Sequence, residues 1–256
     1  MADRLAGKLA LVTGIGAGIG QGVALRFAAE GAQVIGCDIV ADAAERTVDL
    51  ARKAGTPIRS IHPVDLTHPD DVARCISEAS AEGRIDALVN AAAIQPHMAR
   101  IDAMDYETEF RPTITGEVDL VFLTCQAAWP YLAKSGSASI INFASVNAFR
   151  ASRALAMTAH CAGKGAVLSM SRQLAVEGGP HGIRVNTIAP GLVQTSATQA
   201  AGATTGDLAA DLAARTLLGR LGEPDDIAWC AVYLASDEAR WVTGANFSID
   251  GGVTAA

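Results

Sequence analysis

The chain has 256 residues, of which 50% are hydrophobic and 18% are charged. This composition is typical of a globular protein with one large core and excludes a disordered chain. The formal net charge is −7 and no basic run is present, so we expect neither nucleic acid nor an anionic membrane surface as a partner.

The five cysteines are scattered without CxxC spacing. That pattern favours reduced thiols, a cytoplasmic location and the absence of a metal site. The apolar run at residues 8–13 leads directly into a glycine-rich turn, which predicts a strand rather than a signal peptide. No uncharged apolar stretch reaches about 18 residues, so we expect no membrane-spanning segment.

Short apolar runs alternate with helical patterns along the whole chain, without a linker or an internal repeat. Strands that are apolar throughout and alternate with helices predict an α/β fold with a parallel sheet covered on both faces, in a single domain over residues 1–256. The predicted strands are 8–13, 33–38, 57–63, 87–90, 139–144, 183–188 and 246–249, and the predicted helices are 18–30, 42–54, 69–82, 103–133, 156–177 and 224–235.

The first strand runs into a glycine-rich turn, in which residues 13–20 read Thr-Gly-Ile-Gly-Ala-Gly-Ile-Gly. Glycines permit a tight turn and a close approach of the backbone to a pyrophosphate, and the N-terminus of the following helix offers free N–H groups to phosphate oxygens. The position of this turn, after a strand and before a helix, predicts a dinucleotide site.

The second strand ends at Asp38. A carboxylate there can accept hydrogen bonds from the adenosine ribose hydroxyls and repels a 2′-phosphate. No arginine or lysine lies within residues 13–20 to attract that phosphate, so the sequence favours NAD(H) over NADP(H). The alternative is that Asp38 is an ordinary turn residue at a strand end.

The third strand is followed by Asp65 and Leu66, and the fourth ends at Asn90 before three alanines. Either group alone is compatible with turn chemistry. Because the carboxyl ends of successive parallel strands border the ligand crevice, we expect these residues beside the cofactor.

Residues 195–216 are rich in small side chains and follow a late strand. We expect them to form a flap or a short helix over the substrate. An ordinary alanine-rich surface helix is an equally compatible interpretation.

Taken together, these residues resemble the short-chain dehydrogenase/reductase family of the classical type, over essentially the whole chain. The resemblance implies a doubly wound, Rossmann-type sheet of about seven strands, a homotetramer, and an NAD(H)-dependent oxidoreductase acting on a secondary alcohol or ketone. The motifs that carry it are Thr13-Gly14-x-x-x-Gly18-Ile19-Gly20, Asp65, Asn90-Ala91, Ser145, Lys164, Arg184-Val185-Asn186-x-x-x-Pro190-Gly191, Thr195 and Asp250-Gly251-Gly252.

The resemblance also implies a set of cofactor contacts. It assigns Gly14, Gly18 and Gly20 to the pyrophosphate, Asp38 to the ribose, Asp65 to the adenine, Asn90 to the turn beside the cofactor, Lys164 to the nicotinamide ribose, Pro190, Gly191, Leu192 and Val193 to the nicotinamide face, and Thr195 to the carboxamide or a phosphate; Gly16, Ile19, Leu66 and Ala91 complete the set.

The catalytic signature departs from the family pattern Tyr-x-x-x-Lys. His160 stands four residues before Lys164, where the tyrosine belongs, and Glu117 stands where the family usually has asparagine. A histidine ordinarily titrates near neutral pH, and a neighbouring ammonium favours its neutral form, which can act as a base. The hypothesis is that His160 accepts the substrate proton, Ser145 polarises the substrate oxygen, Lys164 anchors the ribose and Glu117 orients His160.

Two other functions remain open at this point. The same fold could act as a lyase or isomerase that uses His160 and Glu117 as acid and base, or as an NAD-binding protein of weak or no activity. His97, Arg150 and Arg153 are more typical of surface positions than of a substrate site. The sequence indicates neither the substrate nor the direction of reaction.

Overall fold

The computed structural model describes residues 3–152 and 155–255. Within them, seven strands form one sheet in the order β3-β2-β1-β4-β5-β6-β7, and every adjacent pair is parallel. The strands are β1 (Leu9–Thr13), β2 (Gln33–Cys37), β3 (Arg59–Ile61), β4 (Ala87–Asn90), β5 (Ser139–Phe143), β6 (Arg184–Pro190) and β7 (Asn246–Ile249). The predicted doubly wound sheet is confirmed, and its order reverses between β1 and β4, which is where such sheets bind ligands.

Helices cover both faces of this sheet, because successive residues of a strand point to opposite sides. Ala10 and Val12 of β1 belong to one hydrophobic cluster, whereas Leu9 and Leu11 belong to the other. The α-helices are α1 (Gly18–Ala29), α2 (Ala41–Lys53), α3 (Pro69–Ala79), α4 (Arg111–Ile114), α5 (Leu120–Ser135), α6 (Thr158–Gly178), α7 (Ser196–Ala200), α8 (Gly206–Ala214) and α9 (Pro224–Ala235). The first cluster lies under α1, α2 and α9, and the second under α3, α5 and α6.

The single helix predicted over residues 103–133 is wrong in detail. The structure begins helical at residue 106 and inserts two π-helical turns, Tyr106–Phe110 and Thr115–Asp119, around the short α4. Pro112 has no N–H to donate within this stretch, which interrupts the regular bonding of an α-helix. Wide turns of this kind often occur at functional sites, and the second one carries Glu117.

Two further boundaries differ from the sequence prediction. The strand predicted over 57–63 pairs with β2 only along Arg59–Ile61. Residues 195–216 form two short helices, α7 and α8, and α8 has no buried residue. Within residues 3–152 and 155–255, no helix is both long and apolar enough to cross a bilayer.

Candidate active site

A cavity of about 330 Å³ opens at the carboxyl ends of the strands on either side of the order reversal. Its wall combines the glycine-rich turn, the residues after β2, β3 and β4, and the start of α7. A volume of this size is in the range of cofactor and small-molecule sites. Ile19, Leu66 and Ala91, which the sequence predicts as cofactor contacts, all line this cavity.

The glycine-rich turn has the shape that a pyrophosphate requires. Gly14 has a φ of +71°, and a Cβ at this position would lie 2.7 Å from the Cα of Ala92. Helix α1 begins at Gly18, and its N-cap residue Ala17 makes no capping hydrogen bond through its side chain. The first N–H groups of α1 are thus available to an anion at the cavity, and the residues present fit a bound dinucleotide.

Asp38 is held at this cavity by two backbone groups. Its Oδ2 accepts the N–H of Gly16 at 2.8 Å, and its Oδ1 accepts the N–H of Val40 at 2.9 Å. The Gly16 N–H therefore serves to position Asp38 and does not point to a phosphate. Each carboxylate oxygen retains a second acceptor site for a ribose hydroxyl.

Asp65 also lines the cavity, after the neighbouring strand β3. Its Oδ1 accepts the backbone N–H and the hydroxyl of Thr67, at 2.9 and 2.7 Å. Burial raises the pKa of Asp65, but the hydrogen bonds from Thr67 and the neighbouring His68 together outweigh this and leave the pKa below its usual value. The carboxylate is therefore ionised and fixed where the resemblance places the adenine.

The side chain of Asn90 points into the protein, away from the cavity. Its Nδ2 donates to the Oδ1 of Asn142 at 2.8 Å, and its Oδ1 accepts the hydroxyl of Thr124 at 2.8 Å. Asn142 in turn donates to Ser171 at 2.9 Å. This buried chain joins β4, β5, α5 and α6 beneath the site. The only signal for it in the sequence was an asparagine at the end of each of two apolar strands.

Two of the predicted catalytic residues, Glu117 and His160, are in direct contact. The Oε1 of Glu117 lies 2.5 Å from the Nδ1 of His160, and the two side chains are 1% and 13% exposed. An ionised carboxylate only accepts hydrogen bonds, so with Glu117 in its carboxylate form it is Nδ1 of His160 that carries the proton. In the neutral ring the lone pair is then on Nε2, which is the nitrogen that can act as a base.

Lys164 lies one helical turn after His160, on the same face of α6. Its ammonium is buried and donates to the backbone oxygen of Phe143 at 3.2 Å. Burial lowers the pKa of Lys164, and the charge of Glu117 opposes that shift. Ser145, two residues beyond Phe143, is also buried, and its Oγ accepts the N–H of Asn147 at 3.1 Å. The hydroxyl proton of Ser145 remains available to a substrate oxygen.

The residues expected at the nicotinamide end follow β6. The N–H of Gly191 donates to Ile249 on β7, and a Cβ at Gly191 would lie 2.9 Å from the Cα of Asp250. Thr195 is the N-cap of α7, where its Oγ1 accepts the N–H of Thr198, and its methyl group lies against Gly18. Thr195 therefore closes the cavity over the glycine-rich turn. Pro190 ends β6, and Leu192 and Val193 follow Gly191 in the same loop.

The remaining residues singled out in the sequence have no role in this geometry. His97 and Arg150 are exposed, and Arg153 lies outside the described residues. In the ranges that the structure describes, no group of three His, Cys, Asp or Glu side chains is arranged to hold a metal ion.

Comparison with known proteins finds matches over nearly the whole chain. The family model described as enoyl-(acyl carrier protein) reductase, adh_short_C2, matches residues 14–254. The 2,5-dichloro-2,5-cyclohexadiene-1,4-diol dehydrogenase LinX of Sphingobium indicum is 38% identical over 253 residues, which cover 98% of each chain.

Two solved structures are similar in both fold and sequence. A short-chain type dehydrogenase/reductase from Mycobacterium marinum has a TM-score of 0.92 at 33% identity, covering 100% of this chain and 98% of that one. A candidate NAD(P)-dependent gluconate 5-dehydrogenase from Beutenbergia cavernae, with NADP bound at low occupancy, has a TM-score of 0.91 at 33% identity and covers both chains completely.

Proposed function

The chain belongs to the short-chain dehydrogenase/reductase family, and we propose that it is an NAD(H)-dependent oxidoreductase that interconverts a secondary alcohol and a ketone. Its relatives are named as dehydrogenases of alcohols and diols. The observation that carries the proposal is the hydrogen bond between Glu117 and His160, one helical turn from the buried Lys164. It supplies a proton acceptor at the position where the family pattern has a tyrosine.

A nicotinamide dinucleotide is the cofactor that the family and the cavity support, and a neighbour in the comparisons holds NADP. We propose that this chain prefers NAD(H). Asp38 presents a fixed carboxylate at the cavity, and residues 13–20 carry no cation to pair with a 2′-phosphate. A carboxylate repels that phosphate but accepts hydrogen bonds from ribose hydroxyls.

The proposed mechanism follows from the protons that these side chains can hold. A nicotinamide dinucleotide bound in the cavity would supply the hydride acceptor or donor. In alcohol oxidation, His160 Nε2 accepts the hydroxyl proton, while Glu117 keeps the Nδ1 proton in place and compensates the charge of the imidazolium. Ser145 donates a hydrogen bond to the substrate oxygen, keeps its own proton, and stabilises the negative charge that develops on that oxygen. Lys164 binds the nicotinamide ribose and adds positive charge beside the site.

Two further parts of the proposal concern the shape of the protein. Residues 195–216 act as the substrate flap, since Thr195 and Ser196 line the cavity and α8 has no buried residue to hold it down. The protein assembles as a homotetramer, as the family resemblance implies. Trp241 is 97% exposed and is an apolar side chain that a second copy would cover.

The first experiment is a fluorescence titration of the purified protein with NADH and NADPH, alongside Asp38→Asn and His160→Tyr. We expect NADH to bind more tightly, and we expect Asp38→Asn to reduce the preference about tenfold by removing the repulsion. The protein is then assayed with NAD and a panel of secondary alcohols, and NADH formation is followed by absorbance. Substrate conversion at constant NADH absorbance would show that the protein is a lyase or isomerase. NAD binding without any turnover would show that it is a binding protein.

A further inference from the structure

Helix α6 meets the carboxylate of Glu117 at two positions, and at the second of them, Gly163, it has no side chain. A Cβ added at Gly163 would overlap Glu117 Oε2, and it would lie 3.2 Å from the Cβ and 3.3 Å from the Cδ of Glu117. The added Cβ would therefore meet atoms along the whole glutamate side chain and not only the terminal oxygen. The carboxylate therefore occupies a slot that exists because residue 163 is glycine.

Glu117 has no room to withdraw from this slot. Its side chain is 1% exposed and its Oε1 is held by His160. The preceding residue, Gly116, is itself packed against the side chain of Ile94, and its backbone oxygen accepts the Ile94 N–H at 3.1 Å. The π-helical turn is thus fixed on one side by Ile94 and on the other by α6.

The second carboxylate oxygen has no role in fixing the orientation. Among the described residues, Glu117 Oε2 is buried without a hydrogen-bond partner. The rotation of the carboxylate is consequently set by the hydrogen bond between Oε1 and His160 and by the packing of the carboxylate against Gly163. A methyl group in the slot would rotate the carboxylate, and that rotation would break the bond that fixes the His160 ring.

We propose that Gly163 is a positioning residue, whose missing side chain lets Glu117 hold His160 with Nδ1 protonated and Nε2 free to act as the base. This inference rests on the proposed function for its catalytic consequence, but the tautomer of His160 can be measured without any substrate. Gly163 acts through Glu117 and His160 and touches neither substrate nor cofactor.

The test compares Gly163→Ala with Gly165→Ala. The two glycines lie in the same helix, but a Cβ at Gly165 would have only the backbone oxygen of Ala148 nearby, at 3.9 Å. Both variants gain the same methyl group and the same helix propensity. Any difference between them therefore reports on the slot.

The first readout is the nitrogen NMR spectrum of protein labelled at its five histidines, with the His160 signals identified by their loss in His160→Gln. We expect the wild type and Gly165→Ala to show one tautomer with Nδ1 protonated, and Gly163→Ala to show averaged tautomers. An unchanged His160 spectrum in Gly163→Ala would overturn the proposal, whatever the enzyme activity. A changed spectrum with no turnover in any variant would instead overturn the proposed function alone.

The second readout is kinetic. Since small misplacements of catalytic groups cost up to about 100-fold, we expect Gly163→Ala to lower kcat about 10- to 100-fold, with the Kd for NADH unchanged. Gly165→Ala should match the wild type. The double variant with Glu117→Ala should be no worse than Glu117→Ala alone, because the slot matters only when the carboxylate is present. Fully multiplicative losses would contradict the proposal.

Discussion

The two halves of the site are built by different means. The cofactor half is mostly backbone: a glycine with positive φ, the uncapped N-terminus of α1 and a carboxylate fixed by two N–H groups. The catalytic half depends on side chains that contact each other, and the Glu117–His160 bond joins residues 43 positions apart. A backbone site is specified locally, whereas a side-chain site requires matched residues on separate elements.

The largest effect should come from adding a single methyl group to the cofactor half. Gly14→Ala would combine an unfavourable φ of +71° with a contact of 2.7 Å to the backbone of Ala92. We expect a loss of about 2–5 kcal/mol in the free energy of unfolding and no measurable NADH binding, as followed by urea denaturation and fluorescence titration.

Gly55→Ala is the matched control for this substitution. Gly55 has a similar φ of +78°, but a Cβ there would meet nothing within 4 Å. The control should lose only the cost of the left-handed backbone, about 1–2 kcal/mol, and it should bind NADH as the wild type does. If Gly14→Ala cost no more than Gly55→Ala, the turn would not be sterically specified and the contrast between the two halves would fail.

The next effect separates the halves functionally. His160→Ala should lower kcat by about 10²–10⁴-fold, the range typical of losing a general base. NADH binding should stay close to that of the wild type, because His160 lies outside the cofactor cavity wall. Steady-state kinetics and NADH titration provide the comparison. Full turnover in His160→Ala would remove this residue from the mechanism.

The smallest effect concerns stability in the catalytic half. Burial lowers the pKa of Lys164, with Glu117 opposing, so the folded state disfavours the ammonium. That cost is fully present at pH values below the folded pKa and disappears as the pH rises through the folded and then the unfolded pKa. Lys164→Met should therefore raise the Tm at pH 7 while lowering activity, and the gain should shrink as the pH rises toward the ordinary lysine pKa of about 10.4. A lower Tm at pH 7 would show that the ion is net stabilising.

Much of the fold and of the cofactor half was predictable from the sequence, because each feature is local. Continuous apolar runs predicted all seven strands, and glycines after the first strand predicted the turn. The π-helical turns around Glu117 were not predictable, since no residue pattern specifies that bonding. The role of Gly163 was not predictable for a different reason. It depends on a side chain from another helical segment, and a glycine inside a helix otherwise indicates only lower helix propensity.

The arrangement of Glu117, His160 and Gly163 also limits the order in which such a site can be assembled by single substitutions. A glutamate at 117 would enter filled space in a chain with a side chain at 163. Without His160, it would be a buried carboxylate with neither oxygen hydrogen-bonded, which is strongly destabilising. The glutamate is therefore compatible only with a chain in which residue 163 is glycine and residue 160 donates a hydrogen bond to the carboxylate.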